Sequence, residues 1–116
     1  MDSDSTESLP EVFDFGSELM LFAQGRDTER DEIERMRYLA IERLFVLIGE
    51  ALKRALKDEP ALAHDIPNIN RIRGMRNRLA HEYDSVRVDI VWDAAEAHMP
   101  LLVSTVSENF RKRGAI

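Results

Sequence analysis

Apolar residues recur at helical spacing along almost the whole chain, most fully between about Asp27 and Lys57, its longest uninterrupted stretch. Met36, Ala40, Leu44, Leu47, Ala51 and Ala55 share one side of that helix, and Ile41, Phe45, Ile48, Leu52 and Leu56 carry the side further round the cylinder. No run of alternating β-branched residues bounded by turns competes with this period, so the chain reads as all-α. An arc this wide needs cover on more than one side. Either the helix is central to its own bundle, or it lies between that bundle and a second chain; in so small a four-helix unit the second arrangement is expected. Gly49, in mid-helix, costs roughly 1 kcal/mol relative to alanine and reads as the mark of a close helix crossing.

The remaining segments complete an antiparallel four-helix bundle. The first helix is expected over about Leu9–Gln24, with Pro10 in its first turn and Gly25 as a stop. Residues 1–8 read as a disordered acidic N-terminus and residues 9–113 as a single helical domain. Thr28, three positions before Asp31, resembles a capping box for the second helix, which Asp58–Glu59–Pro60 ends. A third helix is expected from about Pro67 to His81, and a fourth from Asp89 through Phe110 with a kink near Pro100.

A chain of 116 residues supports one shared core and leaves little area for appended sites, so function must reuse helix surfaces or a subunit interface. With 0 Cys there is no disulfide, thiolate metal site or thiol nucleophile, and 3 scattered His offer no metal-ligand spacing. No metal and no cofactor is expected. The opening MDSDSTESLP lacks the pattern of a signal peptide, and no apolar run approaches a membrane span, so a cytoplasmic location without membrane attachment is expected. The net charge of −6 is unevenly spread: residues 1–34 carry 2 Arg against 11 Asp and Glu, whereas Arg71, Arg73, Arg76 and Arg78 stand within eight residues without an acid. A local basic patch survives the overall acidity.

On a helical wheel with Ile69 at zero, Ile72, Met75 and Leu79 fall between about 240° and 300° and form the buried stripe of the third helix. Arg71 and Arg78, near about 180–200°, read as solvated arginines on its polar border. Arg76, near about 340°, stands at the edge of the stripe, where a cation must reach solvent along its stem, meet an acid such as Glu50, or line a cleft. His81 lies about 140° round from Arg76 on an uninterrupted helix. The two meet only if the helix breaks near Ala80 or a second subunit completes the site. Taken alone, His81 suits a helix C-terminus; in R-N-x-L-x-H-x-Y it joins a fixed cation, an acid/base group near neutrality and the phenol of Tyr83.

The stretch RGMRNRLAHEYDSVRVDIVWDAAEAHMPLL, with IERLFVLIGEALKRAL upstream, resembles the HEPN superfamily and, within it, the HepT-like branch of minimal toxins. The resemblance spans about residues 35–105. Its motif is Arg, four to six intervening residues, then His, with a polar residue directly after the Arg and, in this branch, a Tyr two positions beyond the His; Arg76, Asn77, His81 and Tyr83 match each element. The acidic start does not match.

The resemblance implies a HEPN-type bundle that forms a homodimer, with a metal-independent endoribonuclease cleft at the subunit interface. Arg76 and His81 would be catalytic, Asn77 supporting, and Arg73 and Arg78 would hold the RNA backbone. It further implies a toxin–antitoxin system in which a nucleotidyltransferase antitoxin adenylylates Tyr83. The alternative is a catalytically inactive HEPN dimer that acts as a binding module for such a nucleotidyltransferase. Among other residues, Trp92 reads as an interior anchor, and His64 and His98 as bystanders.

Overall fold

The computed structural model describes residues 5–24, 30–66, 68–81 and 86–112. They are almost entirely helical, with no strand among them: α1 spans Ser5–Gln24, α2 Asp31–Asp58 and α3 Ile69–His81, with a 3₁₀ turn at Pro60–His64 between α2 and α3. A fourth rod joins α4 (Val88–Asp93), a π-helical turn (Ala94–His98) and α5 (Met99–Lys112). Asp93, Ala94 and Met99 all keep right-handed helical backbone, so the rod runs on without a break. The π turn has a cause in sequence. Pro100 cannot donate to the carbonyl of Glu96, and its ring crowds that carbonyl; a widened turn just ahead of it relieves the crowding.

Pairs across the helix seams fix their directions. Glu11 meets Arg54 at 3.0 Å, and Arg37 donates to the Phe22 carbonyl at 3.3 Å, so α1 and α2 run antiparallel. The second of these bonds also satisfies a carbonyl in the last turn of α1, which has no partner within the helix. Phe13 lies 6.1 Å from Phe110, while Gly16 faces Val103 and Met99, which makes α5 antiparallel to α1. Glu50 pairs with Arg76, whereas Leu39 and Val46 share a groove with Leu79 and Ala80, so α3 runs back along α2.

Several boundaries differ from expectation. The first helix begins at Ser5, four residues before the expected start at Leu9, and Pro10 therefore lies inside it. Ser8, Leu9 and Val12 are fully buried, so packing holds this turn, and Pro10 forfeits one hydrogen bond near the helix end. Thr28 lies outside the described residues. The residue that caps α2 is Arg30, which contributes no side-chain cap; its carbonyl accepts from Ile33 and Glu34 at 3.1 and 2.9 Å. Asp31, Glu32 and Glu34 place negative charge on that positive helix end. Pro67 also lies outside the described residues, and α3 opens at Ile69, led by Asn68 in the left-handed region at φ 58°.

Most of the apolar arc of α2 is covered by its own chain. Ile41, Phe45, Ile48, Ala51, Leu52 and Ala55 are buried beneath α1, α3 and the fourth rod, each large side chain contributing about 1.5–3 kcal/mol. The arc therefore makes α2 the central helix, and its width does not require a second chain. Met36 and Leu39 remain strongly exposed at its edge, 68% and 45%. Trp92 is an interior residue, its ring 6.3 Å from that of Tyr38. Among the described residues no helix is long and apolar enough to cross a membrane.

Candidate functional site

The site begins where α2 and α3 cross. Gly49 lies directly beneath Arg76, and a Cβ at that position would collide with the Cβ and Cγ of the arginine. The missing side chain lets the apolar stem of Arg76 lie on the backbone of α2. The guanidinium emerges at the edge of the stripe with its side chain 20% exposed, as the wheel places it.

Two neighbours hold that head. Arg76 Nη2 donates to Glu50 Oε1 at 2.8 Å, and Nη1 donates to Asn77 Oδ1 at 3.0 Å. Its buried Nε has no hydrogen-bond partner among the described residues. The hydrogen bond from Arg76 holds the Glu50 carboxyl below its ordinary value, against the opposing effect of burial, with help from the charges of Arg76, Lys53 and Arg54. Beside Glu50 opens a groove of about 460 Å³ whose lining is apolar at Leu39, Val46, Leu79 and Ala80 and charged at Glu42, Arg43 and Glu50. The arginine thus has its acid partner, and it is that partner, Glu50, that lines the groove.

His81 is the last residue of α3 and is exposed. The helix is unbroken from Arg76 to His81, so the two side chains leave it about 140° apart. One chain does not bring them together. Arg73 and Arg78 are exposed on the same helix. Tyr83 lies outside the described residues.

Two residues set aside in sequence are engaged. Arg71 Nη1 lies 3.3 Å from His98 Nε2, so the bystander reading of His98 gives way. Arg71 and Arg78, read as solvated border residues, line a cavity of about 320 Å³ between α3 and the π turn. The wheel of one helix carries no sign of this, because the partner belongs to a segment the chain reaches only after turning back. His64 is exposed at the end of the 3₁₀ turn. No group of three metal-ligating side chains occurs among the described residues.

The chain is similar to two proteins of Methanocaldococcus jannaschii, each named "Putative RNase", at 28% and 27% identity over 92 residues; these alignments cover 79% of this chain and 78% and 75% of the relatives. It is also 34% identical over 73 residues to a protein of the same designation from Caldanaerobacter subterraneus subsp. tengcongensis, covering 63% of this chain and 64% of that one. No solved structure matches the chain. The family model described as ribonuclease HepT-like matches residues 14–108, a span that includes α2 and α3 entire and with them the crossing at Gly49, the Arg76 clamp and His81. By that match the chain belongs to the HepT-like ribonuclease family.

Proposed function

We propose that this chain is a metal-independent endoribonuclease, the toxin of a toxin–antitoxin pair acting in the cytoplasm, whose cleft forms where two copies meet. The reading rests chiefly on Arg76. A guanidinium seated on Gly49 and aimed by Glu50 and Asn77, one of which lines the neighbouring groove, is a preorganised cation for a phosphodiester. His81 supplies the base. As a neutral imidazole it takes the proton of a ribose 2′-hydroxyl; the 2′-oxygen bonds to phosphorus, the bond to the 5′-oxygen breaks, and a proton returned by the imidazole or water completes the 5′-hydroxyl. A 2′,3′-cyclic phosphate remains. Arg76 stabilises the extra charge of the pentavalent transition state, Asn77 orients it, and Arg73 and Arg78 hold the RNA backbone without reading sequence.

The 140° between Arg76 and His81 supports a two-copy site, since the second chain supplies what one helix cannot. Adenylylation of Tyr83 by a nucleotidyltransferase antitoxin would add bulk and negative charge to the motif and compete with RNA for its cations. The test is cleavage of RNA by purified protein in EDTA, with DNA left intact and His81→Ala inactive while its assembly persists. Intact mass after co-expression with a neighbouring nucleotidyltransferase gene should rise by multiples of AMP, and Tyr83→Phe should abolish the increase. The Arg76–Glu50 pair favours a second reading, a binding module for that transferase, because the cation already has an acid partner. Absence of cleavage of any cellular RNA by unmodified wild-type protein would decide for the module.

A further inference from the structure

On the side of α3 away from Arg76, the cavity between α3 and the π turn joins three features, of which the cleavage reading uses only Arg78. Its mouth carries Arg71 and Arg78, two helical turns apart, and among the described residues no carboxylate is within salt-bridge distance of either. Arg71 Nη1 instead lies 3.3 Å from His98 Nε2. The floor is apolar, made by the largely buried Ile72, Met75 and Met99 with the half-exposed Ile90. Its lining holds one acid, Asp93.

Gly74 adds an independent sign. It sits in the interior of α3 and lines the cavity, at roughly 1 kcal/mol of helix stability relative to alanine, yet a Cβ there would meet nothing within 4 Å. Neighbouring helices do not require it, in contrast to Gly49. A bare helix surface on a cavity wall lets a ligand lie against the backbone.

From this we infer that the cavity is a nucleotide-binding site. Arg71 and Arg78 take the phosphate, with Arg71 exchanging its bond to His98 for a charge-assisted one. The base lies on the apolar floor against Gly74, and Asp93 accepts from an exocyclic amino group of the base. A volume of about 320 Å³ is at the small end of ligand pockets, suited to one nucleotide unit. Inorganic phosphate fits less well, because it would face Asp93 and leave the floor uncovered. A second copy seated face to face on this patch would oppose Arg71 and Arg78 with the same arginines, which is repulsive.

The unit comes either as a free nucleotide or as one residue of an RNA strand. His81, one turn beyond Arg78 on this side of α3, makes the strand plausible chemistry, and only that source rests on the nuclease reading.

The experiment measures binding, with no cleavage step, of nucleoside 5′-monophosphates, inorganic phosphate and a non-cleavable 2′-O-methyl oligoribonucleotide to the full chain in its solution assembly. Arg71→Ala and Gly74→Leu should each weaken binding about tenfold or more, with the second raising helix stability while filling the site. Arg111→Ala, an equal loss of charge outside the cavity, should leave binding unchanged. Saturation by monophosphates identifies the free nucleotide; binding of the oligonucleotide alone, lost in Gly74→Leu, identifies the strand. Wild-type affinity in Gly74→Leu, equal loss in Arg111→Ala, inorganic phosphate binding as tightly as the monophosphates, or dissociation of the assembly by Gly74→Leu would each overturn the assignment.

Discussion

Gly49 and Arg76 are a matched pair: the arginine stem occupies the space that a side chain on the glycine would need. The colliding atoms are the Cβ and Cγ of Arg76, close to its backbone, so no rotation of the distal guanidinium relieves the overlap. Gly49→Ala should therefore push α2 and α3 apart. Overpacking costs about 1–3 kcal/mol, and the gain in helix propensity offsets roughly 1 kcal/mol. The expected result is a net loss, read as a Tm lower by about 4 °C per kcal/mol. The same displacement moves Arg76 away from Glu50, so cleavage activity should fall more than the loss of folded protein explains. A variant with unchanged Tm and activity would show that the crossing is looser than described.

Glu50 gives a pH signature. Its carboxyl lies below its ordinary value in the folded chain, chiefly through the hydrogen bond from Arg76, so folding favours the ionised form. The stabilisation is complete above the unfolded-state pKa and disappears as pH falls through the folded one. Glu50→Gln should flatten the acid limb of a Tm-against-pH curve and change little at neutral pH, where a half-exposed pair contributes about 0–1 kcal/mol. An acid limb identical to the wild type would mean that the pair does not persist in solution.

Tyr38 supplies the opposite limb. Burial, then the charge of Glu42 and a hydrogen bond to it, push the phenol up to about 12, with Arg35 opposing. The folded state thus favours the neutral form. The associated stability is full below the ordinary tyrosine value near about 10 and is lost as pH rises towards the folded one. Ultraviolet titration should show a late-ionising tyrosine in the folded protein that Tyr38→Phe removes. Ionisation of both tyrosines near the ordinary value while the chain is still folded would contradict the burial of this ring.

The helices of this bundle were legible because each buries a stripe whose period the sequence displays; Ile72, Met75 and Leu79 are buried as the wheel requires. The same wheel puts Arg76 at the edge of its stripe and leaves solvent, an acid such as Glu50, or a cleft open to it; the pairing of α2 with α3 decides for Glu50. Pro10 looks like a helix start in sequence, whereas the helix begins at Ser5 and the turn before the proline is held by the burial of Ser8 and Leu9, which local sequence does not display. Arg71 and His98 were missed for a related reason. Their contact depends on α3 and the π turn lying side by side, and a five-residue turn leaves no mark in a 3.6-residue period.

The separation of Arg76 and His81 on one unbroken helix makes a prediction that neither single variant tests. If catalysis needs both groups and one chain directs them about 140° apart, each working pair takes its arginine from one copy and its histidine from the other. Arg76→Ala and His81→Ala homodimers are then both inactive. In a mixed dimer one pair is lost twice over, having neither group, while the other keeps both. Subunit exchange between the two inactive proteins should restore activity, to about a quarter of wild type if copies assort at random and the two pairs act independently. Restoration would require the pairing across copies, because no chain in the mixture carries both residues. Failure to restore any cleavage, with mixed dimers demonstrated by mass, would mean that both arginines and both histidines act together or that the helix opens to join the two within one chain. Separately tagged wild-type and doubly substituted chains distinguish these outcomes: a mixed dimer of that kind is active only if a single chain suffices.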